Sequence, residues 1–305
     1  MADYLMILGG LVGLLAGGEA LVRGSVGLAR RLGMPSFLIG LTVVGFGTSA
    51  PELLVSVDAA WRGQPAIAVG NVVGSNTANI LLILGLSALI WPVAVQGPTL
   101  RRDGAVMLAA GLVLVVPFAL GELGRLTGAA LVAALVLYLV WAYRQRGADV
   151  TGPEPADPTP RGAILWVLAG LAALIVGARL LVDGAVAIAE GFGISQAFIG
   201  LTIVAVGTSL PELATSLIAA FRRQSDIALG NIVGSNIFNV LGILGVTALI
   251  APIPVASRFL RFDLPVMLAA TLVLAVLMIA RPLIGRVAGL AMLVAYASYV
   301  LAARG

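Results

Sequence analysis

GLTVVGFGTSAPELLVSVDAAWRGQPAIAVGNVVGSNTANILLILG, residues 40–85, returns as GLTIVAVGTSLPELATSLIAAFRRQSDIALGNIVGSNIFNVLGILG at residues 200–245. Aligned without a gap at an offset of 160, the two stretches agree at 28 of 46 positions. The agreements fall on Gly, Thr, Ser, Pro, Glu and Asn more than on Leu or Val. Lipid-facing helices share apolar residues by composition alone, so the shared polar residues carry the information. Each copy places one carboxylate, Glu52 or Glu212, inside an apolar run, directly after a proline and beside a Thr-Ser pair. An ionisable group there is costly in a bilayer and points to a use.

The composition says which solvent the chain is built for. It is 60% hydrophobic and 10% charged, with a mean hydropathy of +1.10. A soluble domain carries about a quarter charged residues, so this is an integral membrane protein. Its long apolar runs suit helices crossing a hydrocarbon core about 30 Å thick, whereas barrel strands would alternate over short segments. The pI near 10.1 does not call for nucleic acid: all 18 basic residues are Arg, scattered at the ends of apolar runs, where they read as a topology signal. The absence of Cys excludes disulfides and thiolate chemistry, and the absence of His removes haem and zinc sites of the usual kind. A bound metal must then be a hard cation held by oxygen. Residues 1–8 carry Asp3 and no positive charge, so no cleaved signal peptide is expected.

Working outward from the repeat, the chain divides into ten helical spans: 4–29, 36–61, 65–91, 103–121 and 124–143, then 162–190, 196–221, 226–250, 262–280 and 283–303. The fold class is therefore all-α and polytopic. The polar, Pro-rich stretch 144–161 is a linker between two five-span halves, 1–143 and 162–305. The offset extends beyond the opening stretch: Leu21, Val22 and Gly24 return as Leu181, Val182 and Gly184, and Arg101 and Asp103 as Arg261 and Asp263. Five spans per half require the second half to enter from the opposite side, which makes the repeats inverted. With the N-terminus outside, eleven Arg fall on cytoplasmic ends and five on outer ends, and the linker lies in the cytoplasm.

Pro51 and Pro211 supply no amide hydrogen and clash with the carbonyl four residues back, so the helix should open beside Gly47 and Gly207. Carbonyls freed at membrane depth are tolerated only where they line a cavity or meet a ligand. Thr48 shares a helix face with Glu52, and Ser75 with Asn79; the second copy supplies Thr208 with Glu212 and Ser235 with Asn239. Carboxylates, hydroxyls, amides and freed carbonyls make the all-oxygen cage that calcium or sodium takes.

Plainer readings compete at each position. Ser49, Asn76, Ser209 and Asn236 read equally well as residues that join or kink helices. Gly70 with Gly74, and Gly230 with Gly234, have the spacing of close helix approach. Asp103, Asp226 and Asp263 stand where helices are expected to begin and read as N-terminal charges. Asp58, beside Trp61 and Arg62, reads as interfacial. Glu19 and Arg23 map onto Arg179 and Asp183 with the signs exchanged. They form either two intrahelical pairs or pairs between the first and sixth spans.

The doubled pattern GTSxPE followed by GNxxGSNxxN closely resembles the calcium/cation antiporter superfamily, in particular its prokaryotic sodium/calcium exchanger-like members, and the resemblance covers the whole chain. It implies broken second, third, seventh and eighth helices meeting at the midplane, with spans one and six as a sliding gate. The ligands it implies are Thr48, Ser49, Glu52, Ser75 and Asn79, and Thr208, Ser209, Glu212, Ser235 and Asn239, with the backbone carbonyls of Gly45 and Ala205 as sodium contacts. Such exchangers often have Asp at one of the positions held here by Asn79 and Asn239. The implied activity is calcium exchange for sodium or protons by alternating access, in the inner membrane of a prokaryote. No cofactor, nucleic acid or obligatory protein partner is expected beyond the transported cations and the bilayer. A metabolite transporter would call for aromatic or basic groups in the core, where the doubled stretch offers small oxygen-bearing residues instead; no nucleophile or redox group stands out for an enzyme, and a site for multivalent cations behind closed gates suits exchange better than the fast conduction of a channel.

Overall fold

The computed structural model describes residues 2–34, 36–95, 98–144, 160–192 and 205–303. The expected linker, save its ends, and the first part of the expected seventh span lie outside the described residues. The principal helices are α1 (Ala2–Arg31), α2 (Ala50–Trp61), α3 (Pro65–Ala78), α4 (Pro98–Val113), α5 (Arg125–Arg144), α6 (Pro160–Gly191), α7 (Leu210–Phe221), α8 (Ser225–Ile237), α9 (Leu264–Ala280) and α10 (Arg286–Ala303). Eight continuous apolar helices are long enough to cross a bilayer, and a ninth span is made by Phe37–Thr48 with α2 across a 43° bend. These nine are counted among the described residues; α7 has 12 residues and is too short to cross alone.

Burial separates core from periphery. In the span that begins with α3, Pro65–Ile90, 72% of the apolar window is buried, and in the span that begins with α8, Ser225–Ile250, 83%, against 11% for α10. These two central spans are continuous, which corrects the expectation of broken third and eighth helices. What interrupts each is a π-helical turn, Asn79–Leu84 in one and Phe238–Leu244 in the other. A π turn keeps the backbone hydrogen-bonded while shifting the side-chain register, so the helix need not break to re-aim a residue.

The hairpin turns between α2 and α3 and between α7 and α8 repeat each other bond for bond: the amides of Arg62, Gly63 and Gln64 reach the carbonyls of Asp58, Ala60 and Ala59, and those of Arg222, Arg223 and Gln224 reach Ile218, Ala220 and Ala219. The middle residue takes a left-handed conformation, φ 71° at Gly63 and 58° at Arg223. Glycine does this without cost; Arg223 does it with its guanidinium 4.2 Å from the centre of the Trp91 ring. Two short antiparallel pairs tie the halves together, β1 (Val93–Ala94) to β4 (Leu283–Ile284), and β2 (Glu122–Leu123) to β3 (Ile253–Pro254).

Helices α1 and α6 lie antiparallel along most of their length. A Cβ at Gly17 would sit 2.7 Å from the Leu174 nitrogen, and one at Gly170 2.6 Å from the Leu21 nitrogen, so the two backbones touch along a seam of small residues. Among the described residues Glu19 and Arg23 form neither the intrahelical pair nor the pairs across that seam left open by the sequence. Glu19 pairs with Arg222, at the end of α7, and Arg23 lies over the Trp166 ring at 5.1 Å. An interhelical partner from a third helix was not foreseen because spacing within the repeat is silent about it.

Asp103 and Asp263 also differ from expectation. Each lies inside its helix, buried, because α4 begins at Pro98 and the helical run leading into α9 begins before Phe259. Asp103 accepts from Arg102 Nε and Nη2 at 2.8 and 3.1 Å; Asp263 accepts from the Tyr299 hydroxyl at 3.0 Å with Arg258 Nε 3.4 Å away. A carboxylate without solvent needs such partners more than it needs a helix end. Asp226 does stand in the first turn of α8, exposed, and Asp58 pairs with Arg62 at 2.8 Å beside an exposed Trp61.

Candidate functional site

The interruption in each half falls at Ser49 and Ser209, whose ψ angles of 6° and 8° leave the helical range, two residues beyond the glycine that loses its amide partner to the proline. Pro51 and Pro211 then open α2 and α7 in their first turn, where a proline costs no hydrogen bond. Glu52 and Glu212 follow at once, so each carboxylate stands at a helix N-terminus, where the unpaired amides and the helix dipole favour negative charge. They are 1% and 2% exposed, and among the described residues no arginine pairs with either.

Each carboxylate is held by the other half. Ser49 Oγ donates to Glu212 Oε1 at 2.8 Å, and Ser209 Oγ to Glu52 Oε1 at 3.2 Å. Ser209 Oγ also lies 3.4 Å from Ser75 Oγ, and Ser235 Oγ donates to the Gly45 carbonyl at 3.2 Å. Close approach of α8 to the first half makes this reach possible: a Cβ at Gly230 would sit 2.5 Å from the Phe37 carbonyl, and one at Gly234 would collide with the Leu41 carbonyl. The positions that the repeat sets opposite Gly70 and Gly74, residues 197 and 201, lie outside the described residues. Thr48 Oγ1 is 3.0 Å from the Val44 carbonyl and 3.1 Å from Asn231 Oδ1, with one proton to give. Thr208 is half-buried in the equivalent turn, and Ala205 opens the turn Ala205–Gly207 as Gly45 opens Gly45–Thr48.

Four residues outside the expected ligand set hold it in place. Asn71 Nδ2 donates to the Glu52 carbonyl at 3.0 Å and to Ser56 Oγ at 2.9 Å; Asn231 Nδ2 donates to the Glu212 carbonyl at 3.3 Å and to Ser216 Oγ at 2.9 Å. These asparagines and serines are among the residues identical in both copies, which was the signal for them. Asn76 and Asn236 bond to Asn239 and Asn79 from across the repeats.

Buried side-chain oxygens without a partner occur elsewhere among the described residues, Ser87 Oγ and Thr247 Oγ1 among them, and this cluster adds amide and carboxylate oxygens to them. Glu52 Oε2, Glu212 Oε2, Asn79 Oδ1 and Asn239 Oδ1 are all buried acceptors that meet no donor among the described residues. Burying an acceptor without a partner costs about 1–3 kcal/mol, more when it is charged. Four such atoms, two from each half, are related in pairs by the offset of 160.

The family model described as sodium/calcium exchanger protein matches residues 3–144 and 162–304. A protein of Alkalimonas amylolytica named as an antiporter, CaxA, is 42% identical over 97% of this chain and 96% of its own length. The sodium/calcium exchanger MaX1 of Methanosarcina acetivorans is 33% identical over 98% of this chain and 97% of its own. A solved structure of the sodium-calcium exchanger NCX_Mj, soaked with Na+ and Ca2+, superposes with a TM-score of 0.89 at 34% identity, covering 99% of this chain and 98% of that one. By its match to the family model over both stretches and its identity to these relatives along nearly its whole length, the chain belongs to the sodium/calcium exchanger family and is a calcium/cation antiporter.

Proposed function

We propose that the transported calcium ion binds between Glu52, Glu212, Asn79 and Asn239, and that the observation carrying this is the set of four buried, donor-free oxygens they present. Thr48, Ser49, Ser75, Thr208, Ser209 and Ser235 complete the candidate ligand set with the carbonyls of Gly45 and Ala205. With Asn at both 79 and 239 the site holds a formal charge of minus two, which one calcium ion, two sodium ions or two protons balance. Sodium is the counter-ion proposed, in keeping with the names of MaX1 and NCX_Mj. Protons are the second reading, favoured by two buried glutamates without an arginine partner.

The architecture proposed is ten spans in two inverted halves, 1–143 and 162–305, joined by a cytoplasmic linker at 144–161, with the N-terminus outside and the protein in the inner membrane of a prokaryote. The matched hairpin turns, the paired β1–β4 and β2–β3 contacts and the exchanged serine–glutamate bonds support two equivalent halves. The Arg bias supports the orientation. Alternating access then exposes one site to each side in turn, and calcium efflux is the direction proposed.

The test is calcium flux into proteoliposomes under an outward sodium gradient, an outward proton gradient, or neither. Uptake driven by sodium alone supports sodium exchange, uptake driven by protons alone supports the second reading, and equal uptake under all three conditions rejects coupled antiport.

A further inference from the structure

Asn76, Asn79, Asn236 and Asn239 are 1–3% exposed and bond to one another across the repeats rather than within them. Asn79 Nδ2 donates to Asn236 Oδ1 at 3.1 Å, and Asn239 Nδ2 donates to Asn76 Oδ1 at 2.9 Å. An amide has a donor end and an acceptor end, so tying down the nitrogen decides where the oxygen points. In both residues the remaining Oδ1 is buried and meets no donor.

We infer that Asn76 and Asn236 are positioning residues, each turning the ligand amide of the other half so that its oxygen, not its nitrogen, faces the ion. The inference rests on Asn79 and Asn239 being ligands. Were Asn239 alone to flip, its Oδ1 would face Asn76 Oδ1 with no proton between them, and its NH2 would face a calcium ion. Asn76 cannot flip to accommodate this without loss, because its own Nδ2 donates to the Asn236 carbonyl at 3.2 Å. The Asn236 amide is keyed more weakly, its Nδ2 lying 3.5 Å from the thioether of Met107, a poor acceptor. The Asn76–Asn239 arm is therefore the firmer of the two. The same arrangement disfavours an ionised carboxylate at 239, which would set an oxygen against Asn76 Oδ1, and so keeps the site at two formal charges.

The experiment is equilibrium binding of radioactive calcium to the purified full-length protein carrying Asn76→Ala, Asn239→Ala or both, with thermal unfolding as a check on folding. Removing a group that orients a metal ligand costs about 10–100-fold in affinity, and Asn76→Ala is expected in that range. Because Asn76 acts through Asn239, the double variant should bind no more weakly than Asn239→Ala alone, while Asn76→Ala combined with Asn79→Ala should multiply the two losses. Parental affinity in Asn76→Ala, or losses at 76 and 239 that multiply, would overturn the inference while leaving the ligand reading intact. Parental affinity in Asn239→Ala would remove both. If Asn76→Ala does not fold, Asn236→Ala decides: it removes the acceptor that holds Asn79 Nδ2, so a loss of about 10–100-fold is expected that does not deepen when Asn79→Ala is added, and parental affinity counts against the proposal.

Discussion

Glu212→Gln separates a site carboxylate from a structural one. Because Ser49 donates to Glu212 Oε1 at 2.8 Å, the glutamine will place its oxygen there and its NH2 where Oε2 now stands without a partner. The cation then loses a charged ligand and faces a donor instead. Two unit charges 4 Å apart interact by about 4 kcal/mol at the effective dielectric of protein sites, and a divalent ion doubles that. Part is returned because the buried carboxylate no longer has to be kept from water. Taking about 4 kcal/mol as the remainder, calcium binding should weaken about a thousandfold at 1.4 kcal/mol per decade. The calcium-free protein should unfold at the same temperature or higher, since an unpaired buried charge has been removed. Radioactive calcium flux in proteoliposomes reads the first effect and thermal unfolding with and without calcium the second. Parental flux at parental calcium concentrations would refute the assignment, and a large loss of stability without calcium would mean that Glu212 serves the fold and not the ion.

Three further outcomes are expected. Glu19→Gln, Arg222→Gln and the double change should show a coupling of about 0.2–1 kcal/mol in unfolding, as exposed pairs do; coupling of Glu19 to Arg179 instead would contradict the geometry. Asn231→Ala removes both the bond to Ser216 and the contact with Thr48, and should destabilise by about 1–3 kcal/mol in thermal unfolding while also weakening calcium binding. Asp226→Asn, at the exposed start of α8, should change stability by less than about 1 kcal/mol and leave calcium flux at the parental rate.

What could be read from the sequence is what depends on local chemistry. Proline beside a Thr-Ser pair foretold the interruption, and Glu52 and Glu212 stood out because a bilayer makes such residues expensive. The proline places the lost bond at Gly47, and the chain leaves the helical range at Ser49, within the same turn. What could not be read depends on partners distant in sequence. Nothing in GNVVG says that Asn71 reaches back to the Glu52 carbonyl, or in GSNxxN that Asn76 serves Asn239 rather than Asn79. The continuity of the central spans was equally hidden, because a π turn and a break can follow the same polar residues. Asp103 and Asp263 were misplaced by a few residues of helix boundary, enough to turn a buried, hydrogen-bonded carboxylate into an apparent N-terminal charge.

The crossing of bonds between halves bears on how the protein moves. Ser49 serves Glu212, Ser209 serves Glu52, and the four asparagines bond across the repeats, so neither half completes this hydrogen bonding alone. Parting the halves at the ion would strip buried charged acceptors of their donors at about 1.5–3 kcal/mol each. The contacts of α1 and α6 with this core are of another kind: Leu171 against Gly47, Val182 against Gly207, and the half-exposed pair of Glu19 with Arg222. Sliding an apolar side chain past a glycine exchanges one dispersion contact for another and strands no buried donor or acceptor. A displacement of the α1–α6 pair, joined along its own glycine seam, is thus the motion that would disturb the bonds between the halves least. A conformational change that opened the protein between α3 and α8 would have to offset every one of the asparagine bonds that join them.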